Sequence, residues 1–317
     1  MTKGQALAAD CPACNFSGPE CSATLDNGYK LLRCAKCALL FAYPRPSMEK
    51  LKSVYDASPD PLSYHSPDEA RKLGLQYQTL FADCSGTGTK VLEIGCNTGF
   101  ALQGLAQLGY EVTGADLSET AIRYGREHYK LDRLYCAEFP PEDIAGCFDL
   151  VIASHIIEHV LDHEDFVTRC AQFLRTGGLC VIKTPNAGSL GMRLLRTHYP
   201  VFCPPIHLNY FSRATLSSLL HGRFAIERAE TDSDWRDQRN TVFNSLVSIA
   251  HWCGVKRQLK ENPALGCNAT TGSNKRSNAL DVVRNGTQLT QRMLGPVFFA
   301  MDKAALGENM TVVARKL

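Results

Sequence analysis

The spacing of hydrophobic and polar residues along the chain switches between the period of strands and the period of helices. Short apolar runs, typical of buried strands, alternate with stretches in which apolar residues return every three or four positions. This alternation predicts an α/β fold with a Rossmann-like, seven-stranded sheet. A helix over residues 163–174, closed by Gly177, is expected before the fifth strand. The strands are expected over residues 91–94, 110–115, 134–137, 148–153, 178–184, 224–229 and 310–315.

The predicted elements divide the chain into four parts. A small cysteine-containing module occupies residues 1–45, and a helical linker, suited to be a lid, occupies residues 46–88. The strands lie in a core of residues 89–232 and 308–317. Residues 233–307 separate the sixth and seventh strands and are expected to form a helical insertion. This insertion could be a solvated excursion, a lid, a dimer contact or a membrane-surface patch.

Composition narrows the class of protein without naming a function. Of the 317 residues 44% are hydrophobic and 21% are charged, which is typical of globular proteins. A net charge of +2 provides no strong field to attract nucleic acid, so no nucleic-acid partner is expected. The first ten residues are too polar for a signal peptide, and no apolar run is long enough to span a bilayer. We therefore expect a cytoplasmic protein with free thiols, and a homodimer is possible.

Four cysteines near the start have the spacing of a metal site. Cys11-Pro-Ala-Cys14 and Cys34-Ala-Lys-Cys37 are separated by residues 15–33, as in zinc ribbons. Two such pairs supply four thiolates, which close a tetrahedral zinc site and leave no position for a catalytic water. The sequence therefore predicts a structural zinc ion at Cys11, Cys14, Cys34 and Cys37. The alternatives are two coincidental pairs or a redox-active pair.

A glycine-containing loop after the first core strand predicts a nucleotide-type cofactor. Glu93-x-Gly95-x-x-x-Gly99 ends a strand and begins a helix, and Asp116 ends the next strand. A nicotinamide cofactor would require a glycine at the position of Asn97, because the backbone must approach a pyrophosphate. S-adenosylmethionine contains no phosphate, and Asp116 could accept hydrogen bonds from both of its ribose hydroxyls. The alternative is an unrelated strand–loop–helix turn.

With these motifs, residues 89–230 and 308–317 resemble class I S-adenosylmethionine-dependent methyltransferases of types 11 and 23. Phe148-Asp149-Leu-Val-Ile and Ile157-Glu158-His159-Val160 are similar to segments of the quinone O-methyltransferases. The four cysteines followed by Pro44-Arg-Pro46 resemble a subset with N-terminal zinc ribbons, which includes sugar C-methyltransferases. The resemblance implies a cofactor site for S-adenosylmethionine at Glu93, Gly95, Cys96, Asn97, Gly99, Asp116, Leu117, Ala137, Glu138 and Ser154.

Two histidine-containing segments are candidates for the chemistry. His155-Ile-Ile-Glu158-His159 spells an inverted zinc-protease motif. We expect instead that His155 lines the methyl-transfer pocket and that Glu158 and His159 orient the loop, with His159 near the substrate. Catalytic zinc is an alternative, and so is a magnesium site at Glu158 and His159, which the quinone enzymes suggest.

His207 and Asn186 complete the candidate site. His207 lies in a segment similar to one of the sugar enzymes, in which the matching histidine is the general base. Those enzymes have Tyr and Glu where Pro204 and Ile206 stand here, which argues against sugar C-methylation. His207 could instead only brace its loop. Asn186 could position a substrate or cap a turn.

The sequence thus predicts S-adenosylmethionine-dependent methylation of a small molecule, on oxygen, nitrogen or carbon, in biosynthesis. The alternative is methylation of RNA or protein, with the zinc ribbon as a docking module. A third interpretation is an adaptor without catalytic activity. Binding of S-adenosylmethionine would separate that interpretation from the other two.

Overall fold

The structure is a computed structural model, and it describes residues 9–57, 67–81, 90–232 and 302–317. Seven strands form one large sheet, and a smaller sheet of four strands lies at the N-terminal end of the chain. Two 3₁₀ turns, Glu142–Ile144 and Arg196–His198, lie between the longer elements.

The strands are β1 (Glu20–Thr24), β2 (Lys30–Arg33), β3 (Leu40–Tyr43), β4 (Lys90–Ile94), β5 (Glu111–Asp116), β6 (Leu134–Cys136), β7 (Phe148–Ser154), β8 (Leu174–Pro185), β9 (Asn209–Tyr210), β10 (Phe224–Asp232) and β11 (Asn309–Lys316). The helices are α1 (Met48–Ala57), α2 (Pro67–Phe81), α3 (Phe100–Ala106), α4 (Glu119–His128), α5 (His163–Phe173), α6 (Leu190–Leu195) and α7 (Arg213–Leu220).

The large sheet has the order β10-β11-β8-β7-β4-β5-β6 and confirms the predicted α/β sheet of seven strands. Strands β8, β7, β4, β5 and β6 are parallel, whereas β11 is antiparallel to both of its neighbours. The chain order reverses between β4 and β7, so the carboxyl ends of these strands open a crevice. Ligands of open α/β sheets bind at such a point.

The small sheet joins the N-terminal module to the core. Its order is β1-β2-β3-β9, and β9 comes from the segment that carries His207. Leu40 pairs with Tyr210 and Phe41 pairs with Asn209. We use the term four-cysteine module for residues 9–43, which contain β1 to β3.

One helix boundary differs from the prediction. Helix α5 ends at Phe173 and β8 begins at Leu174, so Gly177 does not close the helix. Gly177 lies inside β8 with a φ of +75°, a left-handed value that glycine adopts without the strain of a side chain. The glycine lies where the pairing of β7 with β8 shifts register, between the Phe148–Leu174 and Leu150–Leu179 pairs.

Helices α2 and α3 cross at two glycines. A Cβ atom at Gly104 would lie 1.9 Å from the carbonyl oxygen of Ala70, and one at Gly74 would lie 2.4 Å from the carbonyl carbon of Gly104. The backbones can therefore meet only because both positions lack a side chain. This contact packs α2, which carries Tyr77, directly against α3.

The insertion begins and ends at a hydrogen-bonded pair of residues. Asp232 at the end of β10 pairs with Asn309 at the start of β11. The helices predicted between them fall mainly within residues 233–301, outside the described residues. Of the helices in the described ranges, none combines the length and apolar character needed to cross a bilayer.

Candidate active site and metal cluster

The predicted cofactor residues gather along the carboxyl ends of four adjacent strands. The loop after β4 is bound to the end of β5, because the backbone amide of Asn97 donates to Oδ2 of Asp116 at 2.8 Å. The other oxygen of Asp116 accepts from the amide of Ser118, also at 2.8 Å. Gly95 and Gly99 have φ of +68° and +74°. A Cβ at Gly95 would lie 2.0 Å from Cδ1 of Ile156, so a side chain there would displace Ile156, and the positive φ of Gly95 further favours glycine.

Glu93 is a buried carboxyl group with an unsatisfied oxygen. Its side chain is 5% exposed, and Oε2 lacks a hydrogen-bond partner among the described residues. Burial, with a further contribution from the charge of Asp116, raises the pKa of Glu93 to about 8. The carboxyl group is therefore protonated at neutral pH and can donate as well as accept a hydrogen bond. Within the described ranges this oxygen has no polar partner, so it is available to a polar group of a ligand.

Tyr77 is a residue that the sequence analysis did not identify. It lies on α2, is 8% exposed, and its side chain hydrogen bonds with that of Ser154 at the end of β7. Burial and the nearby Glu93 raise the pKa of Tyr77 above its ordinary value. The apolar pattern of α2 does not indicate that Tyr77 contacts Ser154, because this contact depends on how α2 and α3 cross.

The carboxyl end of β6, the last strand of the sheet, continues the row of predicted cofactor residues. Cys136 pairs with Asp116 across the sheet, which brings Ala137 and Glu138 beside the end of β5. Glu138 is half exposed, and its Oε2 lies 3.9 Å from Nη1 of Arg169. Leu117 is 57% exposed and faces outward after β5. Cys96, in the loop after β4, is buried.

Three histidines and Glu158 form the opposite side of the crevice. His155 has a φ of +57°, and its Nδ1 lies 3.2 Å from Oε1 of Glu158. The other oxygen of Glu158 accepts from Oγ1 of Thr184 at 3.0 Å. The rings of His159 and His207 meet edge to face with centroids 5.0 Å apart. The turn 155–159 thus lies between the glycine loop, through Ile156, and the segment carrying His207.

The protonation state of His207 follows from its neighbours. Its Nδ1 lies 2.9 Å from the carbonyl oxygen of Val201. Since a carbonyl can only accept, Nδ1 carries the proton and Nε2 is the basic nitrogen of the neutral ring. Burial, and then the positive charge of His159, lower the pKa of His207 to about 4. His159 is oriented in the same way, by a 2.7 Å contact between Nδ1 and the carbonyl oxygen of Ile206.

Glu158 is the acid at the centre of this group. Burial alone would raise its pKa, but the hydrogen bond from His155, with a further contribution from the neighbouring histidine group, outweighs burial and lowers it. Glu158 is therefore a carboxylate at neutral pH. Ligand-type atoms of Glu158, His159 and His207 lie within 4.8 Å of one another, so the geometry could also hold a cation.

Asn186 makes contacts typical of a turn-capping residue. It is 3% exposed, and its Nδ2 donates to the carbonyl oxygens of Gly307 at 2.9 Å and Ala305 at 3.3 Å. Its Oδ1 accepts from the amide of Gly188 at 2.8 Å. The side-chain amide is thus used within the protein, and this geometry favours the capping role that the sequence left open.

The four cysteines of the four-cysteine module lie close together, with Cys11 and Cys34 buried. Sγ of Cys11 lies 3.5 Å from that of Cys37, and Sγ of Cys14 lies 3.6 Å from that of Cys34. All four are free thiols whose sulfur atoms lie within 4.8 Å of one another. Tetrahedral zinc with Zn–S bonds of about 2.3 Å requires sulfurs roughly 3.8 Å apart, so the cluster has the size of a zinc site.

The thiols differ in how readily they ionise. Burial raises the pKa of Cys11 well above its ordinary value and that of Cys37 to about 11. Burial opposes ionisation of Cys34 as well, but the backbone amides of Cys37 and Lys36 outweigh it and lower its pKa to about 7. Four thiolates in such a volume would repel one another unless a cation neutralised them.

Comparison with known proteins identifies the family. A family described as a methyltransferase domain matches residues 65–223, half of the 317 residues. The ubiquinone biosynthesis O-methyltransferase of Mesorhizobium japonicum is 32% identical over 158 residues, which cover 47% of this chain and 62% of that protein. The enzyme of the same name from Bradyrhizobium diazoefficiens is 33% identical over 141 residues, covering 43% of this chain and 54% of that protein.

These matches span less than two thirds of the relatives' own length. Among solved structures, a SAM dependent methyltransferase from Archaeoglobus fulgidus is 19% identical, with a TM-score of 0.44, and covers 79% of this chain and 95% of that one. Because the family match extends over half of the sequence and includes the glycine loop, Asp116 and the histidine group, this chain belongs to the methyltransferase-domain family.

Proposed function

We propose that the protein transfers the methyl group of S-adenosylmethionine to a hydroxyl oxygen of a small molecule. One observation carries the proposal: the loop held to Asp116 and the group of His155, Glu158, His159 and His207 line one crevice, joined at Gly95 and Ile156. A cofactor and an acceptor bound on the two sides would lie next to each other. Alignment of two reactants is the main task in transferring an activated methyl group.

The residues at the carboxyl ends of β4 to β7 fit S-adenosylmethionine. Asp116 would accept the ribose hydroxyls, and Gly95 and Gly99 leave space for the methionine part. The unsatisfied oxygen of buried Glu93 is a partner for a polar group of that ligand. Ala137 and Glu138 would border the adenine, beside Asp116 in the sheet. When bound, S-adenosylmethionine supplies a sulfonium-activated methyl group.

His207 is the proposed general base, and its environment favours an acidic acceptor. A neutral ring with basic Nε2 is ready to take a proton, but a pKa of about 4 makes it a weak base. A phenolic hydroxyl, with a pKa of roughly 10, gives up its proton far more readily than an aliphatic one. The relatives are named for O-methylation in ubiquinone biosynthesis, which also supports an oxygen acceptor.

For the four-cysteine module we propose a structural zinc ion held by Cys11, Cys14, Cys34 and Cys37. The separation of the sulfurs fits the ion, and four protein ligands leave no position for a reacting water. The buried residues Leu32, Leu39 and Phe41 of this module pack into the same hydrophobic cluster as the core of the large sheet. This packing supports an internal role for the module over a docking surface for RNA or protein.

The test uses methyl-labelled S-adenosylmethionine, purified protein and host extract separated into small-molecule and macromolecular fractions. The proposal expects label in the small-molecule fraction, in a product with a methoxy group. His207→Asn should abolish most of this label, and His221→Asn, at an exposed position outside the crevice, should retain it. Label on RNA or protein would overturn the proposal in favour of a macromolecular substrate.

A further inference from the structure

The segment carrying His207 is bound to the four-cysteine module by backbone and side-chain contacts. The amide of Ala42 donates to the carbonyl oxygen of Leu208 at 2.8 Å, and β3 pairs with β9 directly afterwards. On the other side of His207, Nδ2 of Asn27 donates to the carbonyl oxygen of Pro204 at 3.0 Å. The module therefore holds this segment at points before and after the histidine.

Arg45, two residues after this module, makes side-chain contacts with both histidine-bearing segments. Its Nη1 donates to Oδ1 of Asn209 at 2.7 Å. Its Nη2 donates to the carbonyl oxygens of Val160 and Leu161, both at 3.1 Å. One side chain thus binds the residues after His159 and a residue of β9. Only the planar, forked guanidinium group can serve acceptors in such different directions at once.

Asn209, which accepts a hydrogen bond from Arg45, also binds the backbone of Glu158. Its Nδ2 donates to the carbonyl oxygens of Val160 at 2.8 Å and Glu158 at 3.2 Å. The amides of Leu208 and Asn209 also donate to the carbonyl oxygen of Glu158, at 2.9 and 3.0 Å. The two histidine-bearing segments are therefore linked to each other, and Arg45 closes the linkage from the side of the module.

We infer that Arg45 is a positioning residue for the acceptor side of the crevice, because it clamps the segment after His159 to the segment after His207. This inference rests on the proposed function. Arg45 touches neither the cofactor edge nor the ring nitrogens of the histidines, so it acts through Asn209 and the backbone. Its loss should leave cofactor binding intact and misplace His159 and His207.

Arg45 is a partly buried cation. In the described part of the chain no carboxylate pairs with its guanidinium group. Burial lowers the pKa of Arg45 to about 10. The guanidinium group therefore stays protonated at neutral pH.

The experiment compares full-length wild type, Arg45→Ala, Arg45→Lys and the control Arg33→Ala, whose side chain is exposed on β2. Calorimetry with S-adenosylhomocysteine measures the affinity of the cofactor site. Metal analysis measures the zinc content of the cysteine cluster. Labelled S-adenosylmethionine with the small-molecule fraction of host extract reports methyl transfer. Hydrogen exchange compares the amides of residues 158–161 and 206–210 with those of residues 91–97.

For Arg45→Ala we expect cofactor affinity within about 2-fold of wild type and methyl transfer reduced about 10-fold or more, because misplaced reacting groups lose rate without losing binding. Exchange should accelerate in residues 158–161 and 206–210 only. Millimolar guanidinium should restore part of the rate, whereas Arg45→Lys should remain slow. Arg33→Ala should match wild type throughout.

Two results would overturn the inference. Unchanged methyl transfer in Arg45→Ala would show that the clamp does not position the acceptor side. Faster exchange spread equally over residues 91–97 would show a general loss of structure. A wild-type protein that binds no S-adenosylhomocysteine and transfers no label would contradict the proposed function itself, and localised exchange in Arg45→Ala would still show that the clamp exists.

Discussion

Glu93 places a carboxyl group where a negative charge is costly. Its pKa of about 8 in the folded protein exceeds the ordinary value of 4.5, so the folded state keeps a proton that the unfolded chain releases between these pH values. The unfolded state then binds fewer protons, and the free energy of unfolding falls as pH rises from 4.5 to about 8. The decrease should be on the order of a few kcal/mol.

Glu93→Gln should remove this dependence. The glutamine keeps a polar group at the same place but does not titrate, so its unfolding free energy should decrease less between pH 5 and about 8. Urea unfolding at several pH values measures the slope, with Glu127→Gln, exposed on α4, as the control. Equal slopes for Glu93→Gln and wild type would contradict a protonated Glu93.

Replacing His207 should change the rate of methyl transfer, whereas replacing Glu93 should change the stability of the protein. His207→Asn can still donate to the carbonyl oxygen of Val201 but has no basic nitrogen, so methyl transfer should fall about 100-fold or more, with cofactor affinity preserved. Because burial lowers the pKa of His207 to about 4, the wild-type rate should show no inflection from this group between about pH 5 and 8. A variant as active as wild type would leave His207 the role of bracing its loop.

At the scale of elements, we expect the proposed zinc ion at the four cysteines to stabilise the small sheet. Strands β1 to β3 are short, and their interior includes Cys11 and Cys34 themselves. Removing zinc with a chelator should therefore unfold β1 to β3 and release β9, at a cost of several kcal/mol. The melting temperature should fall, and hydrogen exchange should increase in residues 11–43 and 206–210.

Two cysteine variants make this test specific. Cys34→Ser should reproduce the effect of the chelator, because it removes one of four clustered thiols. Cys21→Ser, on the exposed side of β1, should leave zinc content and melting unchanged. Unaltered melting in chelator, together with protein that contains no zinc, would refute the structural metal ion.

At the scale of the whole molecule, local patterns predicted the elements better than their arrangement. The strands of the large sheet and the positions of Gly95, Gly99 and Asp116 follow from periodicity and turn chemistry within short windows. The link between Arg45 and Asn209 joins residues 164 positions apart, and no local pattern reports it. Tyr77 was missed for the same reason, because the crossing of Gly74 and Gly104 that places it is a tertiary contact.

The connection between β10 and β11 allows a test of how the chain divides into parts. Asp232 and Asn309 are paired across the sheet, so the ends of the insertion are already held together by the ladder that continues to Phe224 and Lys316. Replacing residues 234–301 by a short glycine–serine linker should therefore keep the large sheet intact, and the shorter connection costs less closure entropy. The retained residues 302–308 preserve the carbonyl groups that bind Asn186.

We expect the shortened protein to melt within a few degrees of wild type and to bind S-adenosylhomocysteine with unchanged affinity, as judged by calorimetry. The hydrogen bonds that join Asn97 and Ser118 to Asp116, and the pairing of Asp116 with Cys136, come from residues that the shortened protein retains. A large loss of cofactor affinity would show that residues 234–301 belong to the cofactor site. Loss of methyl transfer alone would assign them to the acceptor side, next to the segments that Arg45 and Asn209 hold together.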